Sequence, residues 1–156
     1  MSKTDNAVQT GSSELARLRA HSQELEHKLD SLEQERARLR DSLHEYRLLF
    51  RTAGTAIAII EANDTVSLVN QKFEDMFGAT RAEIEGRAKW TSFVAPRDRA
   101  RMRGMRKRRL QGDPGVTSDY DATFLGAGNR EIAGHITVAV IPDTHRCIAS
   151  IADIGY

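Results

Sequence analysis

The chain of 156 residues holds one cysteine, three prolines and one tryptophan, and several scarcities of this kind each remove a class of protein. A single thiol, Cys147, excludes an internal disulfide framework and any cysteine-rich zinc site. No apolar run approaches the ~20 residues that a membrane-spanning helix needs; Thr55 to Ile60 is among the longest. Met1 to Gly11 is polar and lacks the apolar segment of a secretory leader, which makes the cytoplasm the expected compartment. Neither sign of charge dominates: 23 Lys and Arg face 22 Asp and Glu, a net charge of +1. No global polyelectrolyte character therefore steers the chain to nucleic acid. Catalytic signatures are missing as well. Gly126-Ala-Gly128 sits between strand patterns rather than before a helix, so it is no phosphate-cradling loop. Histidines show no metal-ligand spacing, and no nucleophile has a base at a sensible separation. The expectation is a protein that is not itself an enzyme.

Aromatic side chains are absent from the first third until Tyr46 and Phe50, so this stretch has little to build a globular core from. Residues 1–11 read as a disordered tail. Ser12 or Ser13 then offers an N-cap hydroxyl, with Glu14 in the first turn. From there to Gly54 no proline or glycine interrupts the chain. Leu15, Leu18, Leu25, Leu29, Leu32, Leu39, Leu43, Tyr46 and Phe50 follow a 3-4 spacing, with Ser22 and Arg36 at the two vacant seam positions. A narrow seven-residue stripe predicts a left-handed coiled coil over residues 12–50. With Leu15 at a and Leu18 at d, a parallel in-register dimer sets Glu14 against Arg19, His21 against Glu26, Lys28 against Glu33 and Glu35 against Arg40. None of these pairs is repulsive, which favours parallel orientation and a homodimer. The competing arrangement is one amphipathic helix folded back on the rest.

Residues 51–154 carry most of the aromatics and the β-branched runs, enough for one small domain. Thr55–Glu61 and Thr65–Val69 read as strands joined at Asn63-Asp64. Asn70 caps a helix over Gln71–Phe77 that ends at Gly78. Thr80-Arg-Ala-Glu83 is a capping box opening a short helix. Trp90 to Val94 is an apolar cluster, and Pro96 begins a helix running to about Gln111. Its arginine-rich stretch, Arg97 to Arg109, is expected to turn Met102, Met105 and Leu110 inward. The period then becomes two, with strands over Tyr120–Phe124, Ile132–Ile141 and Arg146–Ile151. The order β-β-α-α-α-β-β-β implies an α+β fold.

This order and its punctuation resemble the PAS domain family over about residues 44–154. The resemblance is carried by Tyr46-Arg-Leu-Leu-Phe50, Val69-Asn70-Gln-Lys-Phe73, Met76-Phe77-Gly78 and Glu83-Ile84-Glu-Gly86. Trp90, Phe93-Val-Ala-Pro96, the strand–Gly-Ala-Gly-Asn–strand hairpin and the closing Ala152-Asp153-Ile154 complete it. The match resembles bacterial domains attached to sensor kinases and regulators. It implies a five-stranded antiparallel sheet with helices on one face, and a sensory or regulatory role in a two-component or transcription-regulatory pathway. The alternative is a constitutive dimerisation scaffold without ligand. His44, in His-Glu-Tyr-Arg, superficially resembles a kinase phospho-acceptor helix, but no ATP-binding domain accompanies it. In the family, Asp-Ile usually leads into an output helix, whereas here Gly155-Tyr156 follow. The expectation is a fragment of a sensor histidine kinase or regulator, or a chain that acts on a separate signalling partner.

The family's ligand site lies between the sheet and the helices, which makes Phe73, Phe77, Trp90, Phe93, Met102, Ile136 and Val138 the pocket candidates. An ordinary filled core uses the same residues. The resemblance also speaks to cofactors, and none is the expectation. Flavin photochemistry needs a cysteine on a central helix, whereas Cys147 lies in the last strand and reads as a buried, inert thiol. Trp90 leaves room for stacking on a flavin ring. Haem is disfavoured because the long helix has no histidine and Cys-x-x-Cys-His is absent. Arg101, Arg103, Arg106, Lys107 and Arg108 are candidates for an anionic partner, since arginine suits bidentate phosphate contacts; a solvated helix face is the plainer explanation.

Overall fold

The computed structural model describes residues 3–155, which divide between Arg47 and Leu48 into two compact units. Helix α1 spans Lys3–Thr52. The tail expected over residues 1–11 is thus helical from Lys3 onward; Met1 and Ser2 lie outside the described residues. Gly11 costs a helix about 1 kcal/mol, which a long uninterrupted helix on its C-terminal side absorbs. The seven seam leucines are between 49% (Leu43) and 64% (Leu39) exposed.

The second unit is built on a five-stranded antiparallel sheet of order β2-β1-β5-β4-β3. Its strands are β1 (Ala56–Ile60), β2 (Val66–Val69), β3 (Asp119–Leu125), β4 (Glu131–Val140) and β5 (Cys147–Asp153). Between β2 and β3 come α2 (Gln71–Phe77), α3 (Arg81–Ile84), a 3-10 turn (Trp90–Phe93) and α4 (Pro96–Leu110). Alternation puts Ala56, Ala58 and Ile60, then Ile132, Ile136 and Val138, then Cys147, Ala149 and Ile151 on the core face. Val66 and Val69 are both buried although three residues apart; a bulge at Ile59/Ile60 takes up the extra residue. Cys147 is free and fully buried.

Local chemistry sets the helix bounds. The Asn70 side chain accepts from the Phe73 amide at the start of α2, and Gly78 ends that helix at φ +67°. A Cβ on Gly78 would lie 2.7 Å from that of Ala127, so glycine is required there by conformation and by space. At Thr80 the expected cap forms in part: its hydroxyl accepts from the Glu83 amide, and the Glu83 carboxylate accepts from that hydroxyl rather than from the Thr80 amide. Among the described residues no helix is long and apolar enough to cross a membrane.

Candidate functional site

Helix α4 is the arginine-rich segment, and its inward stripe differs from the expected one. Met102 and Arg106 are buried, whereas Met105 and Leu110 are only partly so. Arg99, Met102, Arg106 and Arg109 fall three, four and three residues apart on one face. Arg99 donates from Nε to the carbonyls of Thr91 (3.0 Å) and Val94 (3.1 Å), tying α4 to the preceding turn. Arg106, 8% exposed, donates from Nε to Asp64 Oδ1 at 2.8 Å and from Nη2 to the Glu61 carbonyl at 2.6 Å. The indole N–H of Trp90 donates to the same Asp64 oxygen at 3.0 Å. Burial works against the Asp64 carboxylate, but the hydrogen bonds from Trp90 and Arg106 outweigh it and hold the carboxyl below its ordinary range.

This knot lies between two pockets that share Trp90 and Arg106 as walls. On its outer side lies a groove of about 270 Å³ lined by Ala62, Asp64, Trp90, Arg103, Arg106, Lys107 and Leu110. On its inner side is a cavity of about 30 Å³ whose walls are Ile60, Trp90, Met102, Arg106, Arg109, Tyr120, Ile136 and Val138. A second cavity of about 30 Å³ lies deeper, sharing Ile60, Trp90, Met102 and Ile136 with the first and adding Phe73, Phe93 and Phe124. Spaces of this size hold a water molecule or a small group without repacking.

The pocket candidates therefore separate into two sets. Phe73, Phe77 and Phe93 pack on one another with ring centroids 4.4–5.2 Å apart, and Phe124 joins at 6.1 Å from Phe77. These rings pack on one another around the deeper small cavity, which Phe73, Phe93 and Phe124 also line. Trp90, Met102, Ile136 and Val138 line the cavity nearer solvent.

The five basic candidates are not one surface. Arg106 is turned into the molecule, which corrects its assignment to an outward anion-binding face: the acceptors on the β1–β2 turn satisfy it there. Arg101 is held by Asp98, by the Asp121 carbonyl and over the Tyr120 ring, 5.5 Å from its centroid. Arg108 pairs with Asp113. Only Arg103 and Lys107 line the outer groove without an ion-pair partner among the described residues. Arg109 and Tyr120 are not singled out by the sequence. The three-residue step from Arg106 to Arg109 is the available signal.

Two further clusters lie outside this wall. Asn70, fully buried, donates from Nδ2 to the carbonyls of Phe50 and Thr55, both at 3.0 Å. Its Oδ1 accepts from the amides of Ile57 (2.9 Å) and Phe73 (3.1 Å). One side chain thus joins the last turn of α1, the start of β1 and the start of α2. On the outer sheet face, His135 Nδ1 lies 2.7 Å from Asp121 and Nε2 lies 3.4 Å from Asp119. The hydrogen bond to Asp121 raises the His135 pKa above its ordinary value. Among the described residues no cluster of His, Cys, Asp and Glu suits a metal ion.

Comparison with known proteins agrees with this architecture. The family model described as PAS domain matches residues 54–154. The PAS domain of an HTR-like protein from Haloarcula marismortui superposes with a TM-score of 0.61 at 17% identity, over 78% of this chain and 99% of that one. A domain of the sensory box sensor histidine kinase/response regulator from Geobacter sulfurreducens gives a TM-score of 0.62 at 21% identity, over 74% and 96%. The RpfR quorum-sensing receptor PAS domain of Cronobacter turicensis, in complex with C12:0, gives 0.54 at 17% identity, over 66% and 96%. No curated protein sequence matches the chain.

Proposed function

The chain belongs to the PAS domain family, and from that premise we propose that it is a sensory module in which a small ligand or protein partner acts on the core beneath α4 and the response passes to a parallel coiled-coil dimer of α1. The single observation that carries this reading is the fourfold hydrogen bonding of Asn70. A change in the spacing of β1 and α2 has to reach the Phe50 carbonyl, because the same rigid amide holds all three. The related domain complexed with C12:0 supports a core that accepts small molecules. The chain itself is read as non-catalytic, its output going to a signalling partner in a two-component or transcription-regulatory pathway, and its setting as cytoplasmic.

The test is sedimentation equilibrium of the full chain, combined with disulfide trapping of Leu32→Cys on a Cys147→Ala background. A parallel in-register dimer brings the two introduced thiols together at a d position and crosslinks rapidly. A monomer, or a dimer that does not crosslink there, removes the relay. A second reading is favoured by the packed aromatic cluster and the small cavities: a constitutive dimerisation scaffold with a filled core. Ligand-independent crosslinking, with no small molecule altering its rate, is its signature.

A further inference from the structure

We infer that the groove on the outer side of α4 is a docking surface for an acidic amphipathic helix of a partner protein. One carboxylate of that helix meets Arg103, a second meets Lys107, and an apolar side chain sits against Ala62 and Leu110. This surface opens on the opposite side of Arg106 from the small cavities, and both the sensory and the scaffold readings leave it unassigned.

Charge is the first argument. Helix α4 carries eight basic residues and one acid, Asp98. Arg97, Arg101, Arg106 and Arg108 are paired with Glu131, Asp98, Asp64 and Asp113 in turn. Arg99 and Arg109 donate to backbone carbonyls. That leaves Arg103 and Lys107, which are exposed, line the groove and make no side-chain hydrogen bond or ion pair among the described residues. The groove therefore sets three cations against one carboxylate, Asp64, and that carboxylate is already bonded to Arg106 and Trp90. Its charge is complementary to an anionic partner and repels a cationic one. Arg103 and Lys107 stand one turn apart, about 6 Å along the axis. Carboxylates one turn apart on a second helix have the same separation.

Shape narrows the class of partner. Ala62, Trp90 and Leu110 give the groove an apolar wall within its volume of about 270 Å³, which an amphipathic partner covers and a bare anion does not. A nucleic-acid surface gathers on the order of 6–10 phosphate contacts, more than two free cations beside Asp64 provide. An added strand finds little edge to extend. Beside β2, Val66 donates to the Ala88 carbonyl and accepts from the Gly86 amide. Beside β3, the Thr123 carbonyl accepts from the Ala95 amide, and the Thr123 amide donates to Asp98. A helix, by contrast, can lie close to α4, because Ala100 and Gly104, next to the free cations, are both exposed and small. A Cβ on Gly104 would meet nothing within 4 Å. The packing of the fold itself thus does not call for glycine at a position where glycine weakens a helix.

The experiment screens the full-length protein against short helical peptides displayed on phage and randomised along one face. Selected peptides are then measured by fluorescence anisotropy at low and high salt. Emission of Trp90, the only tryptophan in the chain and part of the groove wall, is a second readout. Selected peptides are expected to carry Asp or Glu one turn apart beside a large apolar residue. Exposed ion pairs contribute little singly, so binding is expected to be weak and to fall as salt rises. Arg103→Glu with Lys107→Glu removes no ion pair or hydrogen bond within the fold and lowers affinity at least about tenfold. Lysine in place of the two peptide carboxylates restores binding to that variant and abolishes it with wild type. Gly104→Gln raises the melting temperature of the free protein and weakens the peptide by crowding its approach. Equal affinity in the charge-reversed variant, selected peptides without the acidic pair, or no selected peptide at all overturns the proposal. Displacement of the peptides by single-stranded oligothymidylate at similar affinity assigns the groove to nucleic acid and overturns the protein partner. Full affinity in Gly104→Gln overturns the approach of helix on helix.

Discussion

Asn70 satisfies both of its donors and both of its acceptors in a position with no solvent access. Asn70→Ala leaves two carbonyls and two amides to find new partners, and a loss of about 2–4 kcal/mol in urea unfolding is expected. Asn70→Asp is the sharper probe because it keeps the shape. Its carboxylate faces the Phe50 and Thr55 carbonyls, so the folded state raises its pKa above the unfolded value of ~3.9. The folded state then binds more protons, and the stability of this variant rises as pH falls toward that value. Unfolding midpoints that do not increase between about pH 7 and pH 5 contradict the donor assignment. His135 offers a second pH test. Its hydrogen bond to Asp121 and the charges of Asp121 and Asp119 raise the folded pKa. The pair's contribution is therefore complete below the unfolded value of ~6.5 and disappears as pH rises through the folded value. Wild type should exceed His135→Gln in melting temperature near pH 5.5, and the gap should close in mildly alkaline buffer. A constant gap would point to packing rather than charge. Asn70 is visible in the sequence only as a helix cap. Its other three bonds reach residues up to 20 positions away, and no local pattern encodes them.

Elements are legible where one period runs without competition. Strands β4 and β5 alternate apolar and polar residues, and the structure buries the alternating set. Helix α4 is legible as a helix and in the inward turn of Met102, but not in the burial of Arg106. Hydropathy places arginine outward, so Met102, Met105 and Leu110 define the expected inner face. What turns Arg106 inward is a pair of acceptors on the β1–β2 turn, Asp64 and the Glu61 carbonyl, 42 and 45 residues earlier in the chain. An arginine can be buried where such partners exist. The expected start of α1 differs from the observed one for a simpler reason: Gly11 reads as a boundary, yet one glycine does not end a helix of 50 residues. At the element scale, the close contact of β4 with β3 is testable at Gly134. A Cβ there would lie 2.7 Å from two ring carbons of Phe124 and 3.1 Å from the Ile151 side chain. Phe124 is 2% exposed and has nowhere to retreat. Gly134→Ala is expected to lower stability by about 1–3 kcal/mol through overpacking. The paired variant Gly134→Ala with Phe124→Leu should recover part of that loss, and a double variant no better than the single one would argue against the clash.

At the scale of the whole molecule, the proposed coil sets two requirements against each other. Its seam leucines are about half exposed or more in the single chain, and a helix gains most of its stability from packing its apolar face. In the proposed dimer, association would then stabilise the helix itself. Leu25→Arg with Leu32→Arg should therefore abolish the dimer and lower far-UV helicity together, while the second unit, with its own core, keeps a cooperative melt. Retained dimerisation in that variant would place the interface elsewhere. In the proposed relay, the polar a positions Ser22 and Arg36 would bear on signalling as well as on assembly. Each weakens the seam, and a seam of uniform leucine would hold one register more tightly than a relay permits. Ser22→Leu with Arg36→Leu is expected to raise the thermal midpoint of the dimer. It should also remove the ligand dependence that the proposed relay gives to Leu32→Cys crosslinking, because a uniform seam would favour one register over any other. A variant that is both more stable and fully responsive would show that the response does not travel through the coil.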